Sequence, residues 1–460
     1  VTLATAFLLA SRALIARPRR TAILLLGYGL GVGVMVALLA VGDALLQQAR
    51  DRDVVAGGDL VLLPEGVDPE VLKVGGVTGM YLEIPNARYL VRQILLGPRY
   101  ASVIAAVSPE VTDRVVYVRV RGTVYAVRVS GILPSAAHRT RSALSVPGWE
   151  DAPEDRRWLD PNPELLFSAL DRFHAPSGPA WAEWWYFNFA AEDGTYGYLS
   201  FIADANREAA VGATVRLGDG GIVRWTDRHR ARALPSGEGS GPLRFEAGPH
   251  RAEMRGGRYR IQMRRVGFAA DLEITPAPGL YFPPVEWRSG DFRSGYTVPA
   301  LRAEIKGEMR IGARVLPVRG VAYHDHNWGN WTGVRWEWGS ASTPHYALLY
   351  GIVQHPSLRN RETLVALYAT RPRPGLLSVL RGTVPVWEGG HSAPARLRFR
   401  AANDAHDTLT AELEVLDSIA TSMGRTTFWQ LRTRYRIRGT VAGRTVAVDT
   451  VGFAETFTGR

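Results

Sequence analysis

The 460-residue chain has no cysteine, which excludes disulfide staples and thiolate metal centres. Lysine is nearly absent: Lys73 and Lys306 are the only two, so arginine carries the net charge of +11. Those arginines are scattered along alternating segments (Arg119, Arg121, Arg128; Arg396, Arg398, Arg400) and form no stripe of the kind that tracks a phosphate backbone. They read as solvated strand faces, and nucleic acid is not expected as a partner. No apolar run after residue 46 is long enough to span a bilayer. A Ser-His-Asp hydrolase signature is missing too: the tract Gly237 to Gly241 is a loop between polar segments, not a strand-to-helix elbow.

What is present is apolar patterning. At 46% hydrophobic and 22% charged residues the chain is globular. Its length exceeds the roughly 250–300 residues at which a single core stops growing, so more than one domain is expected. Ala22 to Gly42 is uncharged, and continuing to Leu46 gives the roughly 20 apolar residues that cross a membrane. Because a signal peptide has a shorter apolar core, residues 22–46 are read as a retained transmembrane helix. Arg12, Arg17, Arg19 and Arg20 precede it, and Asp43, Asp51 and Asp53 follow. The positive-inside rule then puts a basic lead-in, residues 1–21, in the cytoplasm and the bulk outside the inner membrane. Gly27/Gly31 and Gly29/Gly33 are GxxxG pairs, either a packing face for another helix or a flexible lipid-facing stretch.

This opening, Arg19-Arg20-Thr21 followed by Leu26-Gly27 through Val34, resembles the first transmembrane helix of macrolide-exporter-type ABC permeases. A lone helix forms no transport path, so the resemblance implies permease and ATPase subunits as partners. Residues 47–145 are read as a small mixed α/β extracytoplasmic domain. Within it Pro85 to Leu96 has helical spacing, and Val115 to Val129 alternates as two strands about an Arg121-Gly122 turn. Residues 146–164, rich in Pro, Asp and Glu, read as a linker.

From residue 165 onward short alternating segments are separated by Gly, Pro, Asn and Asp, which argues for barrels or sandwiches. Trp184 to Asn206 and Trp336 to Ser357 both run aromatic strand, polar turn, aromatic strand. This self-similarity suggests two related lobes, 165–310 and 311–460. The densest motif is Tyr323-His324-Asp325-His326-Asn327-Trp328-Gly329. In an extended chain successive side chains alternate, so Tyr323, Asp325 and Asn327 share one face and His324, His326 and Trp328 the other.

Three elements together resemble the carotenoid 1,2-hydratase and AttH-like family: Glu183-Trp184-Trp185-Tyr186 with His174 ahead of it, the heptapeptide, and the ending Gly452-Phe453-Ala454-Glu455-Thr456-Phe457. The resemblance covers roughly residues 165–460 and implies a mainly β fold of two lipocalin-like barrel lobes around apolar interiors. Its implied ligands are hydrophobic small molecules, lipid or isoprenoid, and its implied catalytic pair is Tyr323 and Asp325. Two functions from different classes follow. One is an anchored binding protein that handles such a ligand beside an ABC exporter. The other is a cofactor-free hydratase or isomerase acting on an isoprenoid or polyene C=C bond.

Protonating an isolated alkene needs an acid that stays neutral near pH 7, and burial of Asp325 among aromatic rings would provide one. Tyr323 would position or relay the proton, and Glu183 or Glu455 would accept one from water. Trp184, Trp185, Tyr186, Trp287, Asn327, Trp328 and Trp336 are the candidate ligand-lining residues. Against these roles stand bland ones: Asp325 and Asn327 as strand-end hydrogen-bonders, Tyr323 and Trp328 as interface core, Glu183 as a buried partner of an arginine. No cofactor is expected. His324 and His326 have a zinc-compatible H-x-H spacing, with His345 or His355 as a third ligand, or they simply brace neighbouring strands.

Overall fold

The structure is a computed structural model that describes residues 2–50, 60, 62, 84–100, 102–133, 136, 139–140, 163–234, 242–290, 292–358, 362–389 and 393–459. The linker up to residue 162 and the loop Gly237 to Gly241 lie outside them. The chain divides into two units: residues 1–81 with 108–150, and residues 82–107 with 151–460.

The first unit holds α1 (Leu3–Ala16), α2 (Pro18–Arg50) and a hairpin of β1 (Val111–Val120) and β2 (Thr123–Gly131). Pro18–Asp43 of α2 is long and apolar enough to cross a membrane, with a mean hydropathy of 2.4 and no burial, a description an uncleaved anchor and a signal sequence both meet. The hairpin turns where expected: Arg121 and Gly122 have φ of 48° and 88°, the pair of left-handed residues that matches strand twist.

The second unit contains α3 (Ile84–Leu96), the helix expected from Pro85, here grouped with the β structure rather than with the hairpin. A further helix, α4 (Pro163–Leu170), occupies the end of the expected linker. Two closed antiparallel barrels follow. The first runs β3 (Trp181–Ala191), β4 (Tyr196–Asp204), β5 (Glu208–Arg216), β6 (Ile222–Ala233), β7 (Arg244–Ala247), β8 (His250–Arg255), β9 (Arg258–Arg265) and β10 (Phe268–Pro276). It closes through β12 (Phe292–Ile311) and β13 (Arg314–Asn330), since β10 pairs with β12 and β13 pairs with β3. The strand β11 (Phe282–Ser289) hangs on β12 outside this ring.

The second barrel runs β14 (Arg335–Ser342), β15 (Tyr346–Gln354), β16 (Glu362–Ala369) and β17 (Gly375–Thr383), then β19 (Arg396–Ala402), β20 (Thr408–Met423), β21 (Thr426–Val441) and β22 (Arg444–Gly459). Pairing of β17 with β19 and of β14 with β22 closes it; the two-residue β18 (Trp387–Glu388) flanks β19. The lobe boundary expected at 310/311 falls instead inside the β12–β13 hairpin, and the chain changes barrel at residues 331–334. The long β12–β13 hairpin turns at Gly312 like any other, so the sequence there carries no sign that both arms belong to one sheet.

Where a strand has solvent on one side, burial alternates: β9 exposes Arg258, Arg260 and Gln262 and buries Tyr259, Ile261 and Met263. In β19 the arginines at 396, 398 and 400 are exposed, as solvated faces should be. Alternation fails in the middle of β3 and β13, where Trp185 to Phe189 and Ala322 to His326 are all buried. These strands are covered on both faces, by the first barrel's interior and by the second barrel. One apolar cluster joins Tyr186, Tyr198 and Tyr323 of the first barrel to Trp338, Leu349, Tyr368 and Phe453 of the second. Polar contacts rim it: the Tyr196 hydroxyl donates to Asp417 at 2.7 Å, and Arg302 Nη1 donates to Ser342 Oγ at 2.8 Å.

Candidate functional site

Strand β13 pairs with β3 in a register that sets Asp325 against Tyr186, Tyr323 against Asn188 and Asn327 against Trp184. Paired residues share a face, and this face looks onto the second barrel. The alternation expected for the heptapeptide is the one present, and it sorts the candidate residues into two separate groups.

The outward group is built around Asp325. Its Oδ2 accepts from the Tyr323 hydroxyl at 3.0 Å and its Oδ1 from Asn327 Nδ2 at 2.8 Å. The Tyr323 Oη lies 2.7 Å from the Tyr296 Oη, and Trp338 Nε1 donates to both oxygens, at 3.2 and 3.0 Å. From β22 of the other barrel comes Glu455, which accepts from Trp336 Nε1 at 2.9 Å and from Gln430 Nε2 at 3.4 Å. Each barrel thus contributes one carboxyl, and neither is ion-paired among the described residues. Burial pushes Asp325 well above the usual carboxylate range and the Glu455 charge pushes it further, against the hydrogen bonds of Tyr323 and Asn327. Burial likewise raises Glu455. Desolvation raises the Tyr186 hydroxyl, and the adjoining Glu455 charge adds to this.

Rings surround the two acids. Trp184 packs on Trp331 at 4.0 Å and on Trp336 at 5.9 Å; Tyr323 packs on Trp338 at 5.1 Å; Tyr198 packs on Phe453 at 5.4 Å. The guanidinium of Arg432 sits 4.6 Å over the Phe453 ring. Burial favours the neutral form of both carboxyls, and the Glu455 charge favours it further at Asp325, so Asp325 is the one suited to hold a proton and Glu455 the one that can lack it.

The inward group does different work. His324 Nδ1 donates to the Tyr186 carbonyl at 2.9 Å while its Nε2 meets Asp171 Oδ1 at 3.0 Å; Asp171 Oδ2 also accepts from the Tyr259 hydroxyl at 2.6 Å. His326 Nδ1 donates to the Leu170 carbonyl at 2.8 Å, and its Nε2 meets Glu183 Oε1 at 2.8 Å. His174 Nδ1 meets the same oxygen at 2.6 Å. Trp185 Nε1 donates to the Asp171 carbonyl at 3.1 Å and stacks on His326; Trp328 stacks on His174 at 3.8 Å. These side chains clamp the segment from Leu170 to His174 into the first barrel.

This placement corrects several expectations. Glu183 faces away from Asp325, so it is no base for that acid, and its partners are histidines rather than arginine. Trp185 and Trp328 belong to the clamp, not to the ligand face. Trp287 lies half-buried on β11, opposite Ser294 and outside the ring. His324 and His326 address different acids instead of a shared ion. His345 sits in the exposed β14–β15 turn, and His355 stacks on Phe292 at 4.1 Å, so neither supplies a third ligand. Glu455, Trp184, Tyr186, Trp336 and Asn327 do join Tyr323 and Asp325. Sequence reasoning missed Tyr296, Trp338, Gln430 and Asp171. Only Trp338 left a signal, as the i+2 partner of Trp336 on one strand face.

No family model and no curated protein matches the chain. Among solved structures it is similar to CghA in complex with Sch210972, at 14% identity over 61% of this chain and 89% of that one, with a TM-score of 0.47. It is also similar to an AttH-type protein of Nitrosomonas europaea (15%, 60% and 92%, 0.41) and to kievitone hydratase of Nectria haematococca (12%, 64% and 94%, 0.44). At these values the likenesses carry no argument about chemistry.

Proposed function

We propose that the paired barrels bind an apolar, lipid-like or isoprenoid molecule at the face they share. The observation behind this reading is the make-up of that face: Trp184, Tyr186, Trp336, Trp338 and Phe453 around two carboxyls that have no basic partner among the described residues. Such a surface rewards apolar contact and offers neutral hydrogen-bond donors for one polar end. Mass spectrometry of lipids co-purifying with the full chain tests it. One species should be enriched over an unrelated membrane protein and depleted in Trp336→Ala; an identical lipid profile in all three samples removes the reading. Further parts of the same proposal are a membrane anchor at α2, an extracytoplasmic bulk and service to an ABC exporter. Support for these is the Arg19-Arg20-Thr21 opening and the charge asymmetry about α2. Capture of a permease and its ATPase after cross-linking in membranes is the expected outcome.

A second reading, catalysis, is favoured by one observation, that each barrel supplies one carboxyl to the same site. The Asp325 O–H would protonate the alkene carbon, forming C–H and a tertiary cation faced by Trp336 and Trp338. Water would add to the cation and lose its proton to Glu455, and transfer back to Asp325 would complete the cycle. Asp325→Asn should then abolish hydration of a polyene while leaving its affinity within a few-fold. Undiminished turnover would exclude Asp325 as the acid.

A further inference from the structure

We propose that His174, Glu183 and His326 form a buried site for one divalent transition-metal ion, zinc by the chemistry of its donors. The three come from separate segments: His174 from the stretch before β3, Glu183 from β3 and His326 from β13. Glu183 and His326 are fully buried and His174 is 8% exposed. One ligand atom of each residue lies within 4.8 Å of those of the other two, and Nδ1 of His174 and Nε2 of His326 both approach Glu183 Oε1, at 2.6 and 2.8 Å.

The hydrogen count places a proton between His326 and Glu183, where a metal ion can compete for the same lone pairs. The Leu170 oxygen can only accept, so His326 Nδ1, 2.8 Å away, carries the hydrogen. In a neutral ring Nε2 is then a bare lone pair, and it faces a carboxylate oxygen at 2.8 Å. Two acceptors hold that distance only with a hydrogen between them, and a zinc ion would replace that hydrogen as the pair opens to the roughly 3.3 Å that separates two ligands of a tetrahedral ion. A ring whose outer N–H is tied to a backbone carbonyl while its inner nitrogen points at further donors is the arrangement of metal-bound histidine. The rest of the site is preorganised. Both Glu183 oxygens accept from the His174 N–H, at 3.1 and 2.9 Å, and the rings are pinned between Trp328 and Trp185 at interplanar angles of 10° and 13°.

The neighbouring His324–Asp171 contact separates the two cations. Its imidazole is oriented in the same way, but the second Asp171 oxygen is taken by Tyr259 and no second imidazole meets Asp171 among the described residues, so a proton suffices there. The group Asp227, His229 and His250 fits a metal worse, because His250 Nδ1 accepts from the Arg264 N–H and its Nε2 therefore carries hydrogen. Two imidazoles and a carboxylate, with no thiolate anywhere in the chain, suit zinc at about 2.0–2.1 Å per bond. With a water as the fourth ligand, the ion would tie the segment behind α4 across the first barrel, a structural role on the opposite face of β13 from Asp325.

The full chain, purified in detergent without a histidine tag, should retain about one equivalent of zinc by elemental analysis. Stripping by chelator should lower its melting temperature, and adding zinc alone should restore it. Cobalt should give the visible absorption of a tetrahedral site. Glu183→Gln and His326→Gln should each reduce the zinc content at least tenfold, while His250→Gln retains it. Wild-type protein with under a tenth of an equivalent and a melting temperature unmoved by added zinc would overturn the proposal. So would a zinc content unchanged in both ligand variants.

Discussion

Asp171→Ala tests whether the inward half of the motif holds the first barrel shut. The Asp171 carboxylate is 1% exposed and accepts from His324 Nε2 and the Tyr259 hydroxyl. Removing it orphans both donors where water cannot replace the acceptor. An unmet neutral donor costs about 1–3 kcal/mol, and breaking a buried ionic contact from one side about 3–5 kcal/mol. The two together give an expected loss of roughly 4–8 kcal/mol. For a body of this size each kcal/mol moves the melting temperature by about 2 °C, giving a drop of roughly 8–16 °C. Thermal unfolding of the full chain in detergent, followed by tryptophan fluorescence, measures it. Trp185 is a near reporter, since its Nε1 donates to the Asp171 carbonyl. In a His324→Leu background the same substitution should cost at least about 2 kcal/mol less, because one orphan is gone before it is made. A drop under 2 °C, or equal losses in the two backgrounds, would refute the clamp.

Burial inside the second barrel pushes the Glu337 carboxyl up to about 8, beyond what its bonds from Thr456 and Trp387 restore. The folded chain therefore holds a proton between pH 4.5 and 8 that the unfolded chain has released. Stability is full below about pH 4.5 and falls as pH rises through 8, by at most about 5 kcal/mol. Melting curves of Glu337→Gln from pH 5 to 8.5 should lack that slope, and an identical slope would place its origin elsewhere. A Cβ on Gly295 would lie 1.9 Å from the Trp328 ring, so Gly295→Ala should displace that indole from His174 and cost roughly 1–3 kcal/mol by urea unfolding. Trp338→Phe keeps a ring but removes the donor shared by Tyr296 and Tyr323. About 1 kcal/mol of lost stability is expected, and no loss at all would mean the two hydroxyls satisfy each other without it.

Much of this was legible in the chain, for reasons of local physics. Period-two alternation and turn residues marked the strands, and Arg121-Gly122 marked its hairpin because only left-handed backbone closes it. The two faces of the heptapeptide followed from extended geometry alone. What could not be read was which surface each face meets, since this depends on partners far away in sequence. Tyr296 reaches Tyr323 through strand register, and Glu455 reaches the Asp325 site through closure of a second barrel. Asp171 lies beside a helix end with no periodic signature, and its importance is visible only once His324 is seen pointing at it.

The same geometry explains why the motif is so dense and why density misleads. A strand with one wet face is constrained at every second residue; β13 is covered on both faces, so it is constrained at every residue from Ala322 to His326. Tyr323 and Asp325 answer to the second barrel, His324 and His326 to the first. A seven-residue signature here is two interleaved sets, and only the set facing Glu455 has the donors, the acids and the rings for chemistry on an apolar molecule. It follows that changes to His324 or His326 should act first on folding, with ligand affinity lost only in proportion to unfolded protein. Changes to Asp325 or Tyr323 should alter ligand behaviour in protein that still melts within a few degrees of wild type. Measuring both quantities on all four alanine variants separates the two sets, and loss of ligand affinity in well-folded His326→Ala would show that the faces are not independent.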